Sequence, residues 1–394
     1  MHGINNTGDT TLTATNGVAN TAHGAIALDC QTAAMPCVGG RVTLQVPSRV
    51  LVNGGTIRAT ARGSTVSLQG NLTNTGTLQI DDSLRYDQGP VPSGVTLDNR
   101  GTIALADGST LSTGQTVTNG AGGAINATGS GVLSTTGTFN QGAGTTSGTP
   151  PIVDGGALNF TGAGASTFVV QHAVALSGNI ASSQAITVHG INFTGNTNVT
   201  AAAGFTNAGR ITIDCQSPAM PCAGGFSTLD STSGTLVNSG TIIFAARGST
   251  ARLFGNLANT GTVQVHDQAV FGQGGATFDQ TAGITTVAAG ANLDVSTSAG
   301  PLELGGGQLN GSGTITGAVD NSGGQVDLGA SAITVTGDYT QHAGGSLNID
   351  VTGSGAGQSG CSRSAAARPW AGRWRCRRRP GTQQGRSPAM ACDF

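Results

Sequence analysis

The chain has no lysine, little charge and few aromatic rings. Charged side chains make up 9% of its 394 residues and aromatic ones 4%. So few rings exclude a core built from large aromatic layers. Without Lys there is no G-x-x-x-x-G-K phosphate loop. No run of about 20 apolar residues occurs, which excludes a membrane-spanning helix. Calcium-binding G-G-x-G-x-D nonapeptides are absent. The opening MHGINNTGDT has neither a basic start nor an apolar stretch, so no signal peptide is visible. Met1 heads text that already reads as mid-repeat, and the parent's beginning is expected upstream.

What is abundant is small. Gly supplies 66 residues, and Thr, Ser, Asn and Ala most of the rest. Disorder goes with high net charge and few β-branched residues. Here Val, Ile, Leu and Thr recur in short alternating runs, and the formal net charge is −2. That pattern predicts many short strands around a thin core. The net charge hides a split. Residues 359–394 hold eight Arg and one acid, Asp393, whereas residues 1–358 hold nine Arg against 18 acids. The stretch RWRCRRRPG (373–381) interleaves Trp374 among five Arg, a composition suited to nucleic-acid contacts. Phosphate binding needs placed cations. A tail expected to be disordered places none, so no nucleic-acid partner is predicted.

The body repeats itself. Residues 62–80, RGSTVSLQGNLTNTGTLQI, return as RGSTARLFGNLANTGTVQV at 247–265, an offset of 185. DCQTAAMPC (29–37) and DCQSPAMPC (214–222) share that offset, and HGIN recurs at 2–5 and 189–192. Residues 1–80 are thus a duplicate of 189–265. A shorter unit runs beneath: NGGTIRA (53–59), NTGTLQI (74–80), NRGTIAL (99–105), NAGRITI (207–213), NSGTIIF (238–244) and NTGTVQV (259–265). A second unit reads FNQGAG (139–144), FDQTAG (278–283) and YTQHAG (339–344). Asn and Gly tolerate the left-handed backbone of a tight corner. The residues after the Gly alternate as in a half-buried strand. A period near 20 is too short for a helical repeat and suits one coil of a β-solenoid. At about 4.8 Å per coil, roughly 17 coils near 80 Å long are expected. Stacking sets Asn over Asn and Thr over Thr, so ladders along the rod are an expected structural role. NAGRITI to NSGTIIF is about ten residues longer than the neighbouring interval, which predicts a projecting loop at 214–225 and a duplicate at 29–40.

These units resemble the passenger regions of bacterial autotransporters, type V secreted surface proteins. Residues 303–358, with GDYTQHAGGSLNIDV inside them, carry the stronger part of the resemblance. It implies an all-β, right-handed parallel β-helix of roughly 20-residue coils over 1–358, followed by a disordered basic tail over 359–394. It also implies a parent at the outer membrane and cell surface, or secreted, tethered by a membrane β-barrel that is not seen here. Where the family continues in strand, this chain turns to Cys, Arg, Trp, Pro and Ala after about residue 358. That composition is what a GC-rich gene gives out of frame. Permitted codons shifted by one base restore strand-like text, so the tail is expected to be out-of-frame.

The Cys pairs are separated by six residues, whereas zinc sites favour two to four and need four ligands. In an oxidising compartment the spacing predicts local disulfides, Cys30–Cys37 and Cys215–Cys222. A carbohydrate-cleaving site would need clustered carboxylates with calcium or a catalytic cation. The best cluster is Asp81, Asp82 and Asp87 near Arg85, but its duplicate VHDQ (265–268) keeps one acid. It reads as solvated loop. His172, His189, His266 and His342 are scattered. No catalytic residue, metal or cofactor is predicted. The expected function is an adhesive or presenting rod whose loops meet host or bacterial surface ligands. The alternatives are a secreted carbohydrate-active β-helix and a non-functional pseudogene product. Resequencing the gene across codons 350–365 is expected to show a one-base shift that reopens strand text. A frame that stands would make RWRCRRRPG a genuine end.

Overall fold

Alternation decides the architecture. In the computed structural model, strand after strand shows one face buried and the next half-exposed, as in Thr77–Ile80, Thr102–Leu105 and Thr262–Val265. The structure describes residues 2–3, 9–30, 40–60, 63–89, 94–191, 195–215, 225–246, 248–273, 275–328, 332–351, 363–364 and 373–378. These contain no helix, and the strands pair in parallel. The fold is a parallel β-solenoid of about 13 coils of about 22 residues. The coils are fewer and longer than the period of the short unit implied. Steps between stacked residues range from Leu302↔Val319 to Val18↔Leu51. At about 4.8 Å per coil the rod is roughly 60 Å long.

The core is a set of vertical apolar columns. One runs Leu51, Leu72, Leu97, Val117, Phe139, Leu158 and Leu176, each in register with the next. Another runs Ile57, Leu78, Ile103 and Ile125. All are essentially sealed from solvent. Each such side chain stabilises by roughly 1.5–3 kcal/mol, and only stacking brings enough of them together to hold a coil. The long strands Arg41–Asn53 and Ser227–Asn238 turn a corner. Their registers slip between Gln45 and Val50 and between Asp230 and Thr235.

The N-x-G-T unit has a different cause from the expected one. The glycines of these units, Gly55, Gly76, Gly101, Gly209, Gly240 and Gly261, do not adopt positive φ. They are Gly because the coil below lies against them. A Cβ on Gly76 would sit 2.1 Å from the Gly55 carbonyl oxygen, and one on Gly240 2.1 Å from that of Gly209. The asparagines are not corner residues either. Asn53, Asn74, Asn99 and Asn119 are fully buried. The Nδ2 of each donates to the amide oxygen of the coil above: Asn20 to Asn53 (2.7 Å), Asn53 to Asn74 (2.7 Å), Asn74 to Asn99 (2.8 Å), Asn99 to Asn119 (3.0 Å), and Asn119 to Gln141 Oε1 (3.3 Å). The second N–H goes to a backbone carbonyl of that same coil, Thr77 for Asn53 and Thr102 for Asn74. Only nitrogen can donate there, which fixes the orientation of every amide. A second ladder runs Asn207, Asn238, Asn259 and Gln280, and a third joins Asn321 to Gln341.

The second sequence unit now has a role. Gln141, Gln280 and Gln341, the Gln of FNQGAG, FDQTAG and YTQHAG, each end a ladder. Their longer side chains turn the amide onto backbone carbonyls: Gly144 for Gln141, Gln308 for Gln280 and His342 for Gln341. Above Gln141 and Gln280 the column continues with Phe160 and Leu304, which offer no side-chain acceptor.

The duplicated block folds alike in both copies. Ala25–Cys30 matches Arg210–Cys215, Thr65–Asn74 matches Thr250–Asn259, and Thr77–Ile80 matches Thr262–Val265. Between the copies lies a seam. The strand Ser166–Ser177 sits over Ile152–Phe160 and carries both Gln184–Gly190 and Thr197–Ala201 above it. The asparagine column restarts here, where Ile180 lies beneath Asn207. Ile180 has no side-chain amide to donate, and Asn207 Oδ1 is buried without a partner among the described residues. In the basic tail, Arg363–Ser364 pairs with Thr334–Val335, and Arg373–Arg378 with Ser346–Val351. The rest of 352–394 lies outside the described residues.

Asn74→Ala strands a donor on Asn53 and an acceptor on Asn99. It is expected to cost about 3 kcal/mol, read as a lower urea midpoint. Gly76→Ala is expected to cost about 2 kcal/mol or more. Gly120→Ala, whose Cβ would meet nothing nearer than 3.7 Å, should stay within about 0.5 kcal/mol.

Candidate functional site

The acidic residues near Arg85 flank one strand, Ser83–Asp87, with Asp81 and Asp82 before it and Asp87 at its end, and they serve separate partners. Asp81 accepts from Gln79 Nε2 (2.9 Å) and Thr60 Oγ1 (3.2 Å) and pairs with Arg58. Burial pushes its carboxyl up, but the bonds from Gln79 and Arg58 outweigh that and hold it below the usual range. Asp82 accepts from the Gly63 amide at 3.1 Å. Asp87 pairs with Arg85 at 3.1 Å and accepts from the Gly89 amide. The duplicate explains the arrangement. Asp267, equivalent to Asp82, accepts from the Gly248 amide at 2.8 Å, as Asp82 does from Gly63. The acid present in both copies ties a corner of one coil to the next, a role in folding.

The histidines are less scattered than their numbers suggest. Three pair with an aspartate on the adjacent coil: His172 Nδ1 with Asp154 (2.5 Å), His189 Nδ1 with Asp214 (2.6 Å), and His342 Nε2 with Asp320 (2.7 Å). His172 has φ +55, a left-handed turn that His adopts more readily than most residues. It sits where the long strand of the seam bends past the register shift at Asp154 and Gly156. His189 belongs to HGIN and Asp214 to DCQ, so this pair joins two motifs of the duplicated block. The first copy sets His2 opposite Asp29 in the same register.

One feature escaped the linear reading. Asp279, Glu303 and Asp320 stack outward on three successive coils, on strands about 4.8 Å apart along the rod. Burial, then Asp320 and Asp279, push the Glu303 carboxyl above its ordinary range, and His342 partly offsets them. Residues separated by 24 and 17 positions meet here. Writing the sequence coil over coil would have shown the column. Elsewhere the outward faces are mainly neutral and hydrogen-bonded to one another. Ser177 Oγ donates to Asn159 (2.7 Å), Asn159 Nδ2 to Asn140 (2.9 Å) and Asn140 Nδ2 to Thr118 (3.3 Å).

The predicted projecting loops leave from the ends of Ala25–Cys30 and Arg210–Cys215 and return at residues 40 and 225. Residues 31–39 and 216–224, with Cys37 and Cys222, lie outside the described residues. Cys215 is buried and disulfide-bonded. At the foot of the second loop, the Arg252 guanidinium lies 3.7 Å over the Phe226 ring. Among the described residues, no group of three or more His, Cys, Asp or Glu side chains is placed to hold a metal ion. No family model, curated protein or solved structure matches the chain.

A carboxyl raised in the folded state contributes stability below its unfolded pKa and loses it as pH rises through the folded value. Glu303→Gln is therefore expected to raise the melting temperature at pH 7. The gain should close as the pH falls to about 4, where the unfolded carboxyl is itself protonated. A gain that persists at acidic pH would assign the effect to packing.

Proposed function

We propose that this chain is part of a surface-exposed rod, a β-helical passenger of the autotransporter type. In this reading it holds binding loops away from a cell and performs no catalysis of its own. The observation that carries it is the duplication. The two C-x6-C segments follow equivalent strands of the two copies, Ala25–Cys30 and Arg210–Cys215, 185 residues or about eight coils apart and on different columns, a span of roughly 40 Å along the rod. A rigid stack with two like loops at a fixed spacing suits bivalent contact with a repetitive surface. There a second engagement gains from high effective concentration. The neutral, self-satisfied outer faces support a spacer role for the remainder. The N-x-G-T units and the segment around GDYTQHAGGSLNIDV support the autotransporter origin. The intact parent would then reside at the outer membrane or be secreted, and its loops would meet host or bacterial surface ligands.

The purified chain is to be tested on arrays of extracellular-matrix proteins and surface glycans. Deleting either 31–39 or 216–224 should weaken binding about 100-fold or more by loss of bivalency. Deleting both should abolish it, with far-ultraviolet circular dichroism unchanged. Binding that survives the double deletion, or cleavage of a polysaccharide by the chain, would overturn the proposal.

A further inference from the structure

We propose that Asn16 is a site of spontaneous covalent modification, deamidation through a cyclic imide, and that the asparagine ladder shields other Asn–Gly pairs from the same reaction. The chain contains Asn–Gly at 16–17, 53–54, 119–120 and 310–311. This dipeptide is the most open to the chemistry, because Gly carries no side chain to hinder attack by its own backbone nitrogen. The Gly nitrogen, losing its proton to solvent base, forms a bond to the Asn side-chain carbonyl carbon. The carbon–nitrogen bond of the amide breaks and ammonia leaves. Water then opens the five-membered imide at either carbonyl, giving Asp or isoaspartate. The net reaction consumes one water and releases one ammonia, with no change of oxidation state.

The four pairs meet very different surroundings. Asn16 is exposed in the turn between the strands Thr10–Thr13 and Val18–Asn20. Neither Asn16 nor Gly17 has a hydrogen bond among the described residues. Gly17 has φ +92, a freedom that belongs to Gly.

At Asn53 both partners of the reaction are held. Its Nδ2, the group that must leave, donates to Asn74 Oδ1 and to the Thr77 carbonyl. The Gly54 nitrogen, which must attack, donates to the Asn20 carbonyl at 2.7 Å. Asn119 repeats this, with Nδ2 on Gln141 and Thr145 and the Gly120 nitrogen on the Asn99 carbonyl at 2.9 Å. Ring closure at either site would swing a fully buried amide out of its ladder. Asn310 stands between these cases: it lies in the strand Gln308–Gly311 and accepts from Thr286 Oγ1 at 2.6 Å. Modification at Asn16 adds a carboxylate to the residue before Gly17, where an added Cβ would lie 3.2 Å from the Arg49 Cβ. The isoaspartate product also lengthens the backbone by one carbon just before the strand that bears the first ladder asparagine.

The test is peptide mapping by mass spectrometry of the intact folded chain, incubated at 37 °C and mildly alkaline pH with time points. Conversion at Asn16 is expected to run about tenfold or more faster than at Asn53 and Asn119. In urea the rates should converge. Asn74→Ala, which removes the acceptor of Asn53, should speed conversion at Asn53 and leave Asn16 unchanged. An Asn16 that stays intact, or Asn53 and Asn119 converting as fast as Asn16 in the folded chain, would overturn the proposal. No change at Asn53 in Asn74→Ala would overturn the protective role of the ladder.

Discussion

A carboxamide sealed in an apolar stack has two donors and an acceptor to satisfy, and each one left over costs about 1–3 kcal/mol. This constraint shapes the rod. An Asn directly above another Asn receives one N–H on its oxygen, and the carbonyl three residues later in the upper coil takes the other. The same residue must then recur at the same height in every coil. A slip of one residue would turn the whole column outward. The close vertical approach this requires leaves no room for a Cβ two residues on, so Gly follows. The N-x-G-T unit is one hydrogen-bonding device written out repeatedly. The hydrophobic columns supply the bulk of the driving force, and the ladder fixes the register in which they act. Because the amides all point the same way, each polarises the next.

Much of this was legible in sequence, for a definite reason. In a solenoid, vertical neighbours are a fixed number of residues apart, so long-range contacts appear as local repetition. The alternation after Gly gave the strands and the period gave the coil. Two details of cause were misread. N-x-G reads as a left-handed corner because those residues tolerate such a backbone, yet Asn53 points inward and Gly55 is close-packed. The F-x-Q-x-A-G unit was visible as a repeat, but its meaning depends on what lies above it, a Phe or Leu unable to continue the ladder. The seam was not legible at all. No local signal marks the exchange of columns at Ser166–Ser177, because several unrelated steps of unequal length combine to produce it.

The outward faces were harder to read than the core. Burial demands agreement between coils, and exposure does not. Asp279, Glu303 and Asp320 come from three coils whose lengths differ, so no period announces them. The paired His–Asp contacts were hidden for the same reason, with HGIN and DCQ as the exception because duplication copied both together. Function in this architecture is expected in the loops, where stacking imposes nothing on sequence.

The duplicated block repeats its internal stacking and its ladder in both copies, and the seam shifts the second copy by one column of strands. Genetic recombination between the two copies would therefore excise or add 185 residues at a time and rejoin coils that already fit. The seam between Gln141 and Asn207 would travel with the segment, so each added length brings its own amide terminator, apolar cap and restart. Such a gene can lengthen or shorten its product in whole coils. Variation in rod length would then come in discrete steps.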